Sequence, residues 1–169
     1  MKQVSYHLIL DEEKEIASRV LKVTELLGLY VPTDYLVPVI INHLNDTEAR
    51  SVPRFVTSCL TSLSAVITHS SVRFPEQFEG LIDRMIGLIT SSDYLQSENA
   101  EVLDRSLVVT QKIVLAAGKA FCPPRRKVLF KILLQLGSVP EMEHARAGVD
   151  ATLEDLAHNC GLQDASDLF

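Results

Sequence analysis

Lys119 follows Gly118 in the stretch AAGKAF, a pairing that closes phosphate-binding loops. Those loops place another Gly five residues earlier, so that backbone N–H groups wrap the phosphates, and a Ser or Thr after the Lys to reach the metal. Positions 113 and 120 are Ile and Ala, so the phosphate-loop reading is rejected. No GxGxxG or GxSxG stretch occurs, which removes the signals for dinucleotide binding and for a hydrolase nucleophile. His7, His43, His69, His144 and His158 include no pair four apart, the spacing that puts two zinc ligands on one helix face. His158 and Cys160 are two apart and point to different sides of a helix. Cys59 with His69, or Cys122 with His144, would make a nucleophile–base pair if folding joined them. Otherwise Cys59, Cys122 and Cys160, an odd number with no CxxC pair, read as reduced, buried thiols and not as a disulfide framework or zinc finger. The expectation is a chain that is not an enzyme and uses no cofactor or metal.

Binding is then the question, and charge narrows it. Residues 1–140 carry fifteen acidic and fifteen basic side chains, while 141–169 carry seven acids (Glu141, Glu143, Asp150, Glu154, Asp155, Asp164, Asp167) against Arg146, which places the whole net charge of −6 in the last segment. An acidic chain with pI near 5.3 is a poor fit to nucleic acid, whose binders carry a basic surplus. Within the neutral part, Arg125, Arg126, Lys127 and Lys131 form an acid-free basic cluster. Cations at a helix start oppose the macrodipole by about 0.3–1 kcal/mol, so this cluster is the feature that folding explains least. It is the candidate docking point for an acidic partner or for the acidic part of a following repeat. No apolar run approaches the roughly 18 residues of a membrane span. MKQVSYHLIL is too short and too soon followed by Asp11-Glu12-Glu13 for a signal peptide, so a cytoplasmic chain is expected.

The elements that must position these residues read as helices. At 47% hydrophobic, 6% aromatic and no Trp, the core is built from Leu, Val, Ile and Ala. Apolar residues at i, i+3/i+4 spacing predict helices over roughly 12–28, 34–45, 52–70, 75–91, 98–120, 124–137 and 141–159. Gly28, Pro32, Pro75, Ser97, Pro123-Pro124, Pro140 and Gly161 punctuate them. Ser97, with Glu98 and Glu101 behind it, reads as a helix start. Val4, Tyr6, Leu8 and Leu10 alternate, but Ile9 breaks the pattern, so the class is all-α. The 98–120 segment is apolar nearly all round, which marks a helix buried on several sides.

The apolar positions also repeat. Leu36, Val39, Ile40 and Leu44 fall on Phe78, Leu81, Ile82 and Ile86 at an offset of 42, and Leu81, Ile82, Met85, Ile86 and Ile89 on Val128, Leu129, Ile132, Leu133 and Leu136 at 47. In the alternate helices, Ile16, Ala17, Val20, Leu21 and Leu27 fall on Phe55, Val56, Cys59, Leu60 and Val66 at 39. Val66 and Ile67 fall on Ile113 and Val114 at 47, and Leu103, Leu107 and Val114 on Val149, Leu153 and Cys160 at 46. Two interleaved series at one period are the signature of stacked helix pairs. His43 sits where Met85 and Ile132 sit in the sister helices, and reads as a hydrogen-bonded core histidine.

LVPVIINHLND carries Pro38 and, eight residues on, Asp46, with Arg50 and Arg54 either side of the place for a second-helix Arg. This resembles the HEAT-repeat (ARM-like) family of α-solenoids, with Asp11 and Asp93 as partial further matches. The resemblance implies a right-handed superhelix of about three helix pairs (34–45 with 52–70, 75–91 with 98–120, 124–137 with 141–159) after a truncated leading repeat. Residues 1–169 then form a single repeat domain, expected to be a fragment of a longer solenoid because neither end has a polar capping helix. The stretch ELLGLYVPTDYLVPVIINHL resembles HEAT-repeat cytoplasmic assembly factors for axonemal dyneins. That implies a non-catalytic scaffold whose partners are dynein chains or chaperones, without nucleic acid or membrane, with Arg125, Arg126, Lys127 and Lys131 as candidate contact residues. The alternatives are a tubulin-binding HEAT module, with Arg50, Arg54 and Arg73 as edge cations, and a Cys/His enzyme. Burial of the 98–120 segment predicts that Leu107→Ala lowers unfolding free energy by about 2–5 kcal/mol in urea titration; a near-neutral result would place that helix at the surface.

Overall fold

The computed structural model describes residues 14–45, 52–69, 76–95 and 99–159. Helix α1 spans Lys14–Tyr30, α2 Thr33–Asn45, α3 Pro53–His69, α4 Glu76–Ile89, α5 Ala100–Ala117, α6 Pro123–Ser138 and α7 Arg146–Asn159. Short 3-10 segments at Gly118–Ala120 and Pro140–Ala145 complete the regular structure, and no strand occurs among the described residues. The protein is all-α, as the periodicity requires. The expected leading helix over 1–10, the turn residues Asp11 and Asp46, the cations Arg50 and Arg73, and Cys160 lie outside the described residues.

Two helix starts differ from expectation. Helix α5 begins at Ala100 with Asn99 as its flanking residue, and Ser97 is outside the described residues. Asn99 does not cap the helix; its Nδ2 donates to the Asp93 carbonyl at 2.7 Å and closes the α4–α5 turn. The segment expected as one helix from 141 opens as a 3-10 turn, because Met142 takes φ −96°, ψ 21°. Met142 and Ala145 are buried there, so tertiary packing of the turn overrides its helical pattern.

The chain divides into two compact units, Met1–Val72 and Arg73–Phe169. In the first, α3 packs along α1 and also against α2, while α1 and α2 touch little. In the second, α5 packs against α4 and α7, α7 packs against α6, and α4 meets α6 only slightly. Within each unit the wiring is therefore the same: an even-numbered helix pairs with the odd-numbered helix that follows, and the odd helices of that unit, α1 with α3 and α5 with α7, stack. Residues Val102, Leu103, Ser106, Leu107, Val109, Thr110, Ile113 and Val114 of α5 are buried. Val108, Leu115 and Ala116 of the same apolar stretch are exposed, so the helix keeps one face in solvent instead of being buried all round.

Burial also corrects the repeat register. The offset of 42 pairs exposed Val39 with buried Leu81. The buried residues Leu36, Val37, Ile40 and Leu44 instead lie 45 before Leu81, Ile82, Met85 and Ile89. Likewise Leu81, Met85 and Leu88 lie 48 before Leu129, Leu133 and Leu136, whereas Val128, expected in the core, is exposed. In the odd series the offset of 47 holds, since Phe55, Val56, Leu60, Val66 and Ile67 lie 47 before Val102, Leu103, Leu107, Ile113 and Val114, all buried. Val20, Leu21 and Leu27 of the 39 offset and Leu153 of the 46 offset are only half-buried. A slip of one or three residues is invisible to an i, i+3, i+4 pattern, which overlays itself on a helix of 3.6 residues per turn.

The stacked odd helices approach closely at small residues. A Cβ on Gly28 of α1 would stand 3.0 Å from Val66 Cα and 3.3 Å from its carbonyl oxygen in α3. Backbone cannot move aside as a side chain can. Gly28→Ala should therefore lower the urea midpoint, by roughly 1–3 kcal/mol of overpacking that outweighs about 1 kcal/mol of gained helix propensity. Gly80 on α4 is exposed with nothing within 4 Å of an added Cβ, so Gly80→Ala should raise stability, by about 0.5–1 kcal/mol. A gain from both substitutions would refute the close α1–α3 contact.

Candidate functional site

The basic cluster sits at a corner of the chain, and the corner begins at the glycine of AAGKAF. Gly118 has φ 49°, a conformation that L side chains resist, and its N–H donates to the Val114 carbonyl to finish α5. The Gly-Lys pair is thus a helix stop. Residues Gly118–Ala120 make one 3-10 turn, Phe121 is extended and fully buried, and Pro123 and Pro124 start α6 where their missing N–H groups cost nothing.

Two of the four cations bond within the chain. Arg126 reaches back across the corner, donating from Nε to the Phe121 carbonyl at 2.7 Å and from Nη2 to the Lys119 carbonyl at 3.0 Å. A guanidinium thereby satisfies carbonyls that the turn leaves outside any helix ladder. This supplies the folding role that the sequence alone did not show for a cation at a helix start. Arg125 forms a fork with Asp83 of α4, Nε to Oδ1 at 3.0 Å and Nη2 to Oδ2 at 2.9 Å. That pair ties two even helices that otherwise barely touch. The Asp83 side chain is 57% exposed, so the fork is worth about 0.2–1 kcal/mol.

Lys127 and Lys131 are exposed, one turn apart on the face of α6 opposite buried Leu129, Leu133 and Leu136. Val128 and Leu134 flank them at 48% and 46% exposure. Helix α6 contains no acidic residue, so no i, i+4 partner neutralises either ammonium.

Other candidates are dispersed. Cys59 and His69 both lie on α3, ten residues or about 15 Å of rise apart. Cys122 precedes α6 and His144 follows it, separated by a 16-residue helix of about 24 Å. Neither nucleophile pair is assembled. His43 is half-buried, its ring edge-on to Phe55 with centroids 6.2 Å apart. Among the described residues, no group of three or more His, Cys, Asp or Glu is arranged to hold a metal, and no helix is long and apolar enough to cross a membrane. Half-buried Lys112 on α5 has its ammonium lowered below the usual 10.5 by desolvation, a cost to folding that falls away as pH rises toward that value.

These geometries order the cluster by structural weight. Arg126→Ala should cost about 1–2 kcal/mol, because two carbonyl bonds to a charged donor are lost. Arg125→Ala should cost at most about 1 kcal/mol. The double reversal Lys127→Glu, Lys131→Glu should leave the urea midpoint within about 0.5 kcal/mol. A larger loss in the lysine variant than in Arg126→Ala would overturn the assignment.

A family model described as the HEAT-repeat domain of dynein axonemal assembly factor 5 matches residues 1–140. Dynein axonemal assembly factor 5 of Xenopus laevis is 21% identical over 164 residues, covering 97% of this chain and 18% of its own length. The chain thus spans less than a fifth of that relative. No solved structure matches. The paired and stacked helices, Pro38 within α2 and the family match across 1–140 agree: this chain belongs to the HEAT-repeat domain family of dynein axonemal assembly factor 5.

Proposed function

We propose that the chain is a non-catalytic scaffold segment that holds protein partners during the assembly of axonemal dynein arms in the cytoplasm. The family match over residues 1–140 carries this reading. The physical basis fits a scaffold: each helix pair leaves one helix face to solvent, and successive pairs multiply such faces along the chain. Partner choice then rests on shape and on charges at the exposed faces. Dynein chains and the chaperones that handle them are the proposed clients. The separation of Cys59 from His69 and of Cys122 from His144 supports the non-catalytic reading over a Cys/His enzyme. Helix α6, with exposed Lys127 and Lys131, is the proposed contact element within the basic cluster.

The test is affinity capture with the full-length protein that contains this chain, from cytoplasmic extracts of ciliated cells beside a non-ciliated control. Enrichment of axonemal dynein chains and chaperones only from ciliated cells is the expected result. Recovery of tubulin, or of the same partners from both cell types, would replace the assembly reading with a cytoskeletal module or a general scaffold.

A further inference from the structure

We infer that the solvent face of α6 receives one acidic amphipathic helix of a protein partner, an inference that rests on the scaffold reading above. Two of the four cations are already engaged within the chain. The Arg126 guanidinium is held by the carbonyls of Phe121 and Lys119, and that of Arg125 by Asp83. Both bonds pin the first turn of α6, so the direction of the remaining cations is set by the fold. Lys127 and Lys131 project one turn apart, with Val128 on one flank and Leu134 on the other, and Gln135 and Ser138 continue the stripe. Two cations four residues apart match two carboxylates four residues apart on a facing helix. The flanking Val128 and Leu134 offer apolar contact to residues beside those carboxylates.

Charge separates this occupant from other anionic surfaces. The whole chain is −6, so an extended polyanion such as a lipid bilayer would meet its acids as well as its lysines. A single helix meets the stripe alone. Helix α6 itself carries no acid, and the carboxylate of Asp83 beside its first turn is already paired with Arg125.

The probe is a fluorescein-labelled synthetic helix with Glu at i and i+4 between Leu residues, titrated with the full chain and followed by anisotropy. Saturable binding is expected that weakens about tenfold or more in the Lys127→Glu, Lys131→Glu variant and weakens as salt rises. Val128→Ser with Leu134→Ser should remove the part of binding that survives high salt. Four results would overturn the inference: equal binding of a scrambled peptide of the same composition, indifference to the lysine reversal, preferred binding to phosphatidylserine vesicles, or binding only after Asp164→Asn with Asp167→Asn, which would make the chain's own acidic end the occupant. Repeating the cell capture with the lysine variant separates the two levels. Dynein chains retained by a variant that has lost the peptide leave the scaffold standing and remove α6 as the contact; a protein that binds the peptide yet captures no dynein chain refutes the scaffold reading.

Discussion

The close approach of α1 to α3 in the first unit, and of α5 to α7 in the second, is the constraint on which each unit depends. Gly28 lets α1 lie against the backbone of α3, and Gly148 lets α7 lie against Leu107 of α5, where an added Cβ would meet Cδ1 at 3.2 Å. Each of these four helices carries small residues one turn apart at such positions: Thr24 with Gly28, Ser58 with Ser62, Ser106 with Thr110, Gly148 with Thr152. Ordinary helix pairs keep axes about 8–10 Å apart according to the side chains between them, so small side chains bring the stacked helices nearer. The buried hydroxyls cost little because Thr24, Ser106, Thr110 and Thr152 each donate to the carbonyl four residues back, at 2.7–3.0 Å. The Gln111–Asp155 bond at 2.6 Å adds a polar link between α5 and α7.

With the odd helices of each unit packed tightly, the even helices are free to do something else. They bury one large-residue stripe each, such as Leu81, Ile82, Met85 and Ile89 in α4, and keep the opposite face in solvent. Contacts between α4 and α6 are slight enough that a surface fork, Arg125 with Asp83, is their main polar tie. This division of labour explains how one HEAT pair can vary its exposed face, including the lysine stripe of α6, without touching the contacts between the odd helices of its own unit. Catalysis, by contrast, needs convergent groups, and the straight helices α3 and α6 hold the Cys/His pairs apart.

The corner at 117–126 shows why local motif reading misleads in both directions. AAGKAF resembles a nucleotide loop in composition, yet Gly118 serves to stop a helix at φ 49°. Four cations at 125, 126, 127 and 131 read as one patch, yet folding separates them into two arginines bonded within the chain and two lysines that face solvent. Neither the carbonyls of Lys119 and Phe121 nor Asp83, 42 residues away, has a sequence signal that marks it as an arginine partner.

Helix content, the pairing scheme and the family were legible in the sequence, because apolar spacing of 3.6 and a period of roughly 39–47 residues are properties of single chains read end to end. Helix bounds fell within one or two residues except at the end of α5, which Gly118 stops three residues early, and at Met142, where packing of the 3-10 turn delays the start of α7. The exact repeat register was hidden, since an amphipathic stripe overlays itself after a slip of a turn, and only burial told Val39 and Val128 from Leu36 and Leu129. The fate of each cation was likewise decided by the tertiary structure. Charge is written in the sequence, but whether a guanidinium finds a carboxylate or carbonyl within 3 Å depends on which helix folding lays beside it.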